Sequence, residues 1–156
     1  MDDVVIARAL HVLAIVHWIG GVAFVTWVIL PAAASLADPA RRLEFFEAAE
    51  ARFSRQAKVS VLVAGLSGAY IAERLDLWSR FADGRFWWMH AMVGLWLLFA
   101  VILFVAEPLF LHAWFRRRAE RDSTAAFAFA RRAHWILLTV SAVTIAAAIL
   151  GAHGGI

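Results

Sequence analysis

Four long apolar runs alternate with charged stretches along this chain. They fall at about 4–30, 57–75, 86–111 and 133–151. A bilayer-crossing helix takes about 20 mainly apolar residues, and a backbone in hydrocarbon must satisfy its own hydrogen bonds. The pattern predicts an all-α fold: an integral membrane four-helix bundle, forming one domain over residues 1–156. The stretch before the second run predicts a further helix at about 39–56. Asp38 suits its N-cap and Pro39 its first turn. Leu43, Phe46, Phe53 and Ala57 share a face, with Arg41, Glu44 and Glu47 mostly elsewhere. This is the pattern of an interfacial helix running into the second span.

Charge adds orientation. Arg41, Arg42, Arg52 and Arg55 lie between the first two runs, with Lys58 at the edge, and Arg116, Arg117, Arg118, Arg121, Arg131 and Arg132 between the last two. The opposite side has Arg8, Arg74, Arg80 and Arg85. By the positive-inside rule both termini are outside and the basic connections are cytoplasmic, in a bacterial-type inner membrane. Arg116–Arg118 reads as part of that topology signal. The same flanks account for the net charge of +3, so no nucleic-acid partner is implied. Asp2 and Asp3 stand where a cleaved signal would be basic, so the first run is read as a span. The glycine-rich end, 151–156, is expected to fray. No cysteine is present, which excludes disulfide and thiolate chemistry within this sequence.

Histidine supplies the candidate chemistry. An imidazole in hydrocarbon is costly unless paired, so His11 and His17 mark a functional site by default. Depth along the spans groups His11, His90 and His153 in an outer layer. His17 lies about 9 Å deeper. His112 and His134 mark the cytoplasmic ends of the last two spans. His17 points about 240° around the helix from His11, so the two are not expected to clamp one metal atom. Gly20, Gly21, Gly94 and the small residues Ala64, Gly65, Gly68, Ala69 and Ala72 allow close helix packing, or leave room for a flat macrocycle. Trp78, Trp87, Trp88, Trp114 and Trp135 fit interfacial belts. Trp18, Trp27 and Trp96 are deeper and are candidates to line a pocket. Glu107 has the look of a buried proton carrier, but its depth predicts a solvated residue near the cytoplasmic interface.

Three stretches carry a family resemblance. The first is Ala9-Leu10-His11 with Trp18, Gly21 and Leu30-Pro31. The second is Arg52-Phe53-Ser54-Arg55-Gln56-Ala57, leading to Gly65-Leu66-Ser67-Gly68-Ala69-Tyr70. The third is Trp87-Trp88-Met89-His90. Together they resemble the copper-resistance-D (CopD) family and the related HemJ-type protoporphyrinogen oxidases, compact helical membrane proteins. The resemblance implies that His11 ligates haem b. It also implies a Trp-x-His-x-Lys pattern, matched by Trp88 and His90, but Met92 replaces the lysine. That replacement argues against protoporphyrinogen oxidation, and His17 stands where relatives are usually Thr or apolar.

Three functions follow as expectations. The first is a haem b protein for electron transfer or small-molecule redox chemistry, with His11 and His90 as axial ligands and His17 as substitute. Trp18 and Gly94 would border the cofactor, and the bilayer would hold a redox partner protein or a quinone. The second is CopD-like copper transport or relay, with His11, His90 and His153 as ligands beside Met89 and Met92. The third is a non-catalytic assembly subunit. A homo-oligomer is compatible with each.

Overall fold

The computed structural model describes residues 3–154. The expectations for Asp2 and for the last two residues of the tail lie outside the described residues. Among the described residues all regular structure is helical. Four long helices form the bundle: α1 Asp3–Ser35, α2 Pro39–Arg74, α3 Gly84–Arg121 and α4 Ser123–Ala152. Helices α1, α3 and α4 are long and apolar enough to cross a membrane. Helix α2 is as long, at 36 residues, but more polar. It joins the expected interfacial segment and the expected second span without a break.

The helices outrun the predicted spans. The basic stretch expected to connect the third and fourth spans is helical, and only Asp122 separates α3 from α4. Its side chain accepts from the Ala125 N–H at 2.9 Å and so starts α4. Asp38 starts α2 in the same way, accepting from Ala40 N–H at 2.9 Å. Side-chain oxygens at these positions satisfy N–H groups that have no partner within the helix. At the other end of α2 the chain turns through Asp76, whose φ is 49°. That left-handed residue lets Leu77 N–H reach back to the Ala72 carbonyl at 2.9 Å. The tail is helical through Ala152, and His153 closes the last turn.

Two helices widen where proline demands it. Helix α1 is π-helical over Val25–Ile29, just before Pro31, and α3 over Ile102–Leu111, around Pro108. A proline lacks the N–H and clashes with the carbonyl four residues back. A bond to the fifth residue back, as from Leu30 N–H to the Val25 carbonyl, takes up the misfit without breaking the helix.

Side chains divide the bundle into three levels. Trp18, Val22, Val61, Leu95, Phe99 and Leu138 fill the middle. Val25, Leu30, Phe46, Phe127 and Ala130 fill the arginine-rich end, and Trp88, Met89 and Ala147 the opposite end. Many large apolar side chains point outward instead, among them Leu66 at 73% and Leu109 at 74% exposure. Such a surface suits hydrocarbon, whereas soluble monomers rarely expose large contiguous apolar patches.

Glycines seat aromatic rings across the helix interfaces. Gly65 faces Trp96, Gly68 faces His11, Gly21 faces Phe53 and Gly151 faces Trp88. A Cβ on Gly65 would stand 2.6 Å from the Trp96 ring, and one on Gly68 would stand 3.0 Å from the His11 ring. Gly65 and Gly68 of α2 are therefore covered by side chains from α3 and α1, and the space there is close packing, whereas Ala69 is exposed. The tryptophans are also redistributed. Trp88, expected in a belt, is buried at 7%, and Trp27, expected inside, is 60% exposed beside Trp135.

Candidate functional site

Helix α2 is a polar spine. The face it turns to α1 and α3 meets charged or hydrogen-bonding groups at level after level, some buried and some exposed. Near its end, Tyr70 OH and Arg74 Nε donate to Asp3 Oδ2 at 2.7 and 2.9 Å. One level on, His11 Nδ1 lies 2.9 Å from the Ala64 carbonyl and 3.1 Å from Ser67 Oγ. Next, His17 Nδ1 meets Ser60 Oγ at 2.8 Å. Then Ser54 and Lys58 meet Glu107, Glu50 meets His112, and Glu47 accepts from Arg116 at 2.6 and 3.0 Å. From Arg74 to Glu47 the helix rises about 41 Å, close to the thickness of a bilayer with its headgroups. The partners come from α1 in one half and from α3 in the other.

Glu107 is the centre of the α3 half. It is buried at 7%, which corrects the expectation of a solvated residue. Ser54 Oγ lies 2.6 Å from both carboxylate oxygens and donates to them. Lys58 Nζ stands 3.3 Å from Oε1. His112 Nε2 is 3.4 Å from the same oxygen, and its Nδ1 is 3.4 Å from Glu50 Oε2. His112 thus links two carboxylates. An imidazolium donates to both, and a neutral ring to one. Glu50 lies on the interfacial part of α2. Burial pushes its carboxyl above the usual range, His112 opposes this, and Glu107 and Glu47 add to it. Depth alone misplaced Glu107. The π-helical stretch carries it, and α2 continues past it to cover it with Ser54 and Lys58.

The two histidines of α1 share one neighbour. Sequence phase separates them by about 240°, which is about 120° the shorter way round. Ala14 lies midway between them and is buried. His11 and His17 flank that stripe, and both reach α2, at serines seven residues apart. The two rings bond α2 at separate levels, His11 at Ala64 and Ser67 and His17 at Ser60. The Ala64 carbonyl can only accept, so His11 Nδ1 carries the proton and Nε2 keeps its lone pair. Ser67 Oγ donates to the Val63 carbonyl at 2.6 Å, which leaves its lone pair for His11. His11 is half-buried, while His17 is exposed.

The other predicted residues go elsewhere. His90 is exposed and meets Phe81 edge-on, with ring centres 5.3 Å apart. His153 bonds the Ile149 carbonyl at 2.8 Å and His134 the Ala130 carbonyl at 2.9 Å, each within or at the end of its own helix. His112 and His134 are therefore not paired. Trp18 is buried edge-on to Phe99 at 4.7 Å, and its Nε1–H has no acceptor among the described residues. Gly94 is exposed with no side chain over it. Among the described residues no three His, Asp or Glu side chains are grouped to hold a metal ion, His11, His90 and His153 included.

Sequence reasoning gave no role in the site to Ser54, Lys58, Ser60, Ser67 or Glu50. Their signal was present. Lys58, Ser60 and Ser67 interrupt an otherwise apolar run in α2, and Glu107 directly precedes a proline. No family model matches this chain, and neither the curated proteins nor the solved structures give a match.

Proposed function

We propose that this is a multi-pass membrane protein that carries protons along the face of α2 that meets α1 and α3, with Glu107 as the proton-exchanging carboxyl. The burial of Glu107 against Ser54, Lys58 and His112 carries the reading. Ionisable groups inside a membrane are costly and are characteristic of proton relays and ion paths. The arginine-rich end is placed in the cytoplasm of a bacterial-type inner membrane, with four spans and both termini outside, because the basic residues gather there.

Each transfer balances. Protonated Glu107 passes its proton to Nε2 of neutral His112. The imidazolium gives its Nδ1 proton to ionised Glu50, which exchanges with water at the interface, and the ring, left protonated on Nε2, turns over to restore the starting tautomer. Lys58 then stabilises the Glu107 carboxylate until the next proton arrives. Toward the other face, Ser60 with His17 and Ser67 with His11 follow at helical steps of about 9 and 10 Å. Those steps call for bridging water, which links polar groups nearly as well as a direct bond. The test is proton entry into vesicles that contain the purified protein, driven by a potassium diffusion potential and read by a trapped pH dye. Flux should exceed that of protein-free vesicles and fall to their level in Glu107→Gln. No flux, or equal flux in Glu107→Gln, overturns the reading.

A second reading, a haem b redox protein resembling the CopD and HemJ group, rests on His11. Its Nδ1 is fixed by Ala64 and Ser67, leaving Nε2 as the nitrogen for a ligand, the arrangement that orients metal-bound imidazoles. Bound haem would supply one-electron chemistry. The rest of the expected pocket does not fit: His90 turns to Phe81, and Gly65 is covered by the Trp96 ring. A reduced-minus-oxidised spectrum of protein purified after expression with ample haem decides it. A b-type band lost in His11→Ala supports haem, and a colourless protein excludes it.

A further inference from the structure

The arginine run at the end of α3 does not act as one unit. Arg116 is spent on Glu47 of α2. Arg117, Arg118 and Arg121 line a pocket of about 290 Å³ together with Trp114, Asp122 and Ala125. Arg118 lies over the Trp114 ring at 5.7 Å and near the Phe129 ring at 6.0 Å, which fixes its guanidinium. No acidic side chain among the described residues lies within ion-pair distance of Arg117 or Arg121. The carboxylate of Asp122 is engaged with the first turn of α4. The pocket therefore holds an excess of positive charge with unused N–H donors. It begins three residues beyond the last π-helical residue, Leu111, where the apolar run gives way to charge. A tryptophan at that level marks the headgroup layer.

We propose that this pocket binds an anionic phosphate group presented at the membrane surface. Guanidinium groups match phosphate oxygens through paired N–H donors, and basic pockets beside membrane helices suit acidic headgroups. A phosphodiester on a lipid and free inorganic phosphate share this chemistry. The inference is independent of any proton transfer through Glu107.

The test uses delipidated full-length protein in neutral detergent. Retention of phosphatidylglycerol is compared with phosphatidylcholine by native mass spectrometry, and inorganic phosphate is titrated separately by its effect on thermal unfolding. Each arginine near an anionic surface contributes about a factor of five. Arg117→Gln with Arg121→Gln should weaken phosphatidylglycerol retention about thirtyfold, while the charge-matched pair Arg52→Gln and Arg55→Gln, which does not line the pocket, should weaken it much less. Lysine at 117 and 121 keeps the charge and should restore most of it, which separates binding from folding. Selective phosphatidylglycerol retention assigns the site to a lipid. Protection by phosphate without lipid selectivity, lost in the same double variant, assigns it to the free anion. Equal retention of the two lipids without phosphate protection overturns the proposal, as does an undiminished response in the Arg117/Arg121 variant or an equal loss in the Arg52/Arg55 control.

Discussion

Removing Lys58 should destabilise the bundle more than removing its partner's charge, and removing both should cost less than the sum. At 3.3 Å the Lys58–Glu107 attraction is about 5 kcal/mol in a medium of effective dielectric 20. Desolvation takes back most of that. The Lys58 side chain is also 29% exposed, against 9% for Glu107, so screening trims the remainder. A net coupling of about 1–3 kcal/mol is left. The asymmetry follows from burial. Lys58→Met strands a carboxylate that can turn only to Ser54 and His112, and should cost about 3 kcal/mol. Glu107→Gln leaves Lys58 able to reach water and preserves an acceptor for Ser54, so about 1–2 kcal/mol is expected. A double-mutant cycle measured by unfolding in mixed micelles at neutral pH gives the coupling directly. Additivity within about 0.5 kcal/mol would refute the claim that these two charges interact.

Glu50 predicts a pH dependence. Its carboxyl holds a proton more tightly in the folded state, so the stability it contributes is complete below the ordinary value of 4.5 and is lost as pH rises through the raised folded value. Glu50→Gln should flatten that decline in a stability-against-pH curve, and an unchanged slope counts against it. Gly65→Ala drives a methyl into the Trp96 ring and strains its 2.8 Å bond to the Val61 carbonyl, for a loss of about 2–3 kcal/mol. Gly20→Ala meets nothing and should be neutral or stabilising by up to about 1 kcal/mol. Equal melting temperatures for the two would contradict ring seating on glycine. Asp122→Ala removes the cap of α4 and should cost about 1 kcal/mol in thermal unfolding, with no change expected for the exposed Ser35→Ala.

The sequence by itself determined the material of the fold. Apolar length fixed helical elements suited to a membrane, Asp38-Pro39 fixed where α2 begins, and the phase of Phe46 and Ala57 fixed its buried side. These are local quantities, set by residues within a few turns of one another. Of the three tryptophans that it set deeper, Trp18 is buried and Trp27 is not. What it could not determine was which polar groups meet, because that depends on how α1 and α3 register against α2. Ser54 and Glu107 are 53 residues apart and Ser67 and His11 are 56 apart. Depth suggested a solvated Glu107. The tertiary structure reversed this, since a widened turn near Pro108 and a longer α2 enclose the carboxylate, and it alone decided that His11 and His17 both meet serines of α2. The glycines show the same division. Their smallness is legible in the sequence, but only packing shows whether the space is left open, as at Gly20 and Gly94, or filled by a ring, as at Gly65 and Gly68.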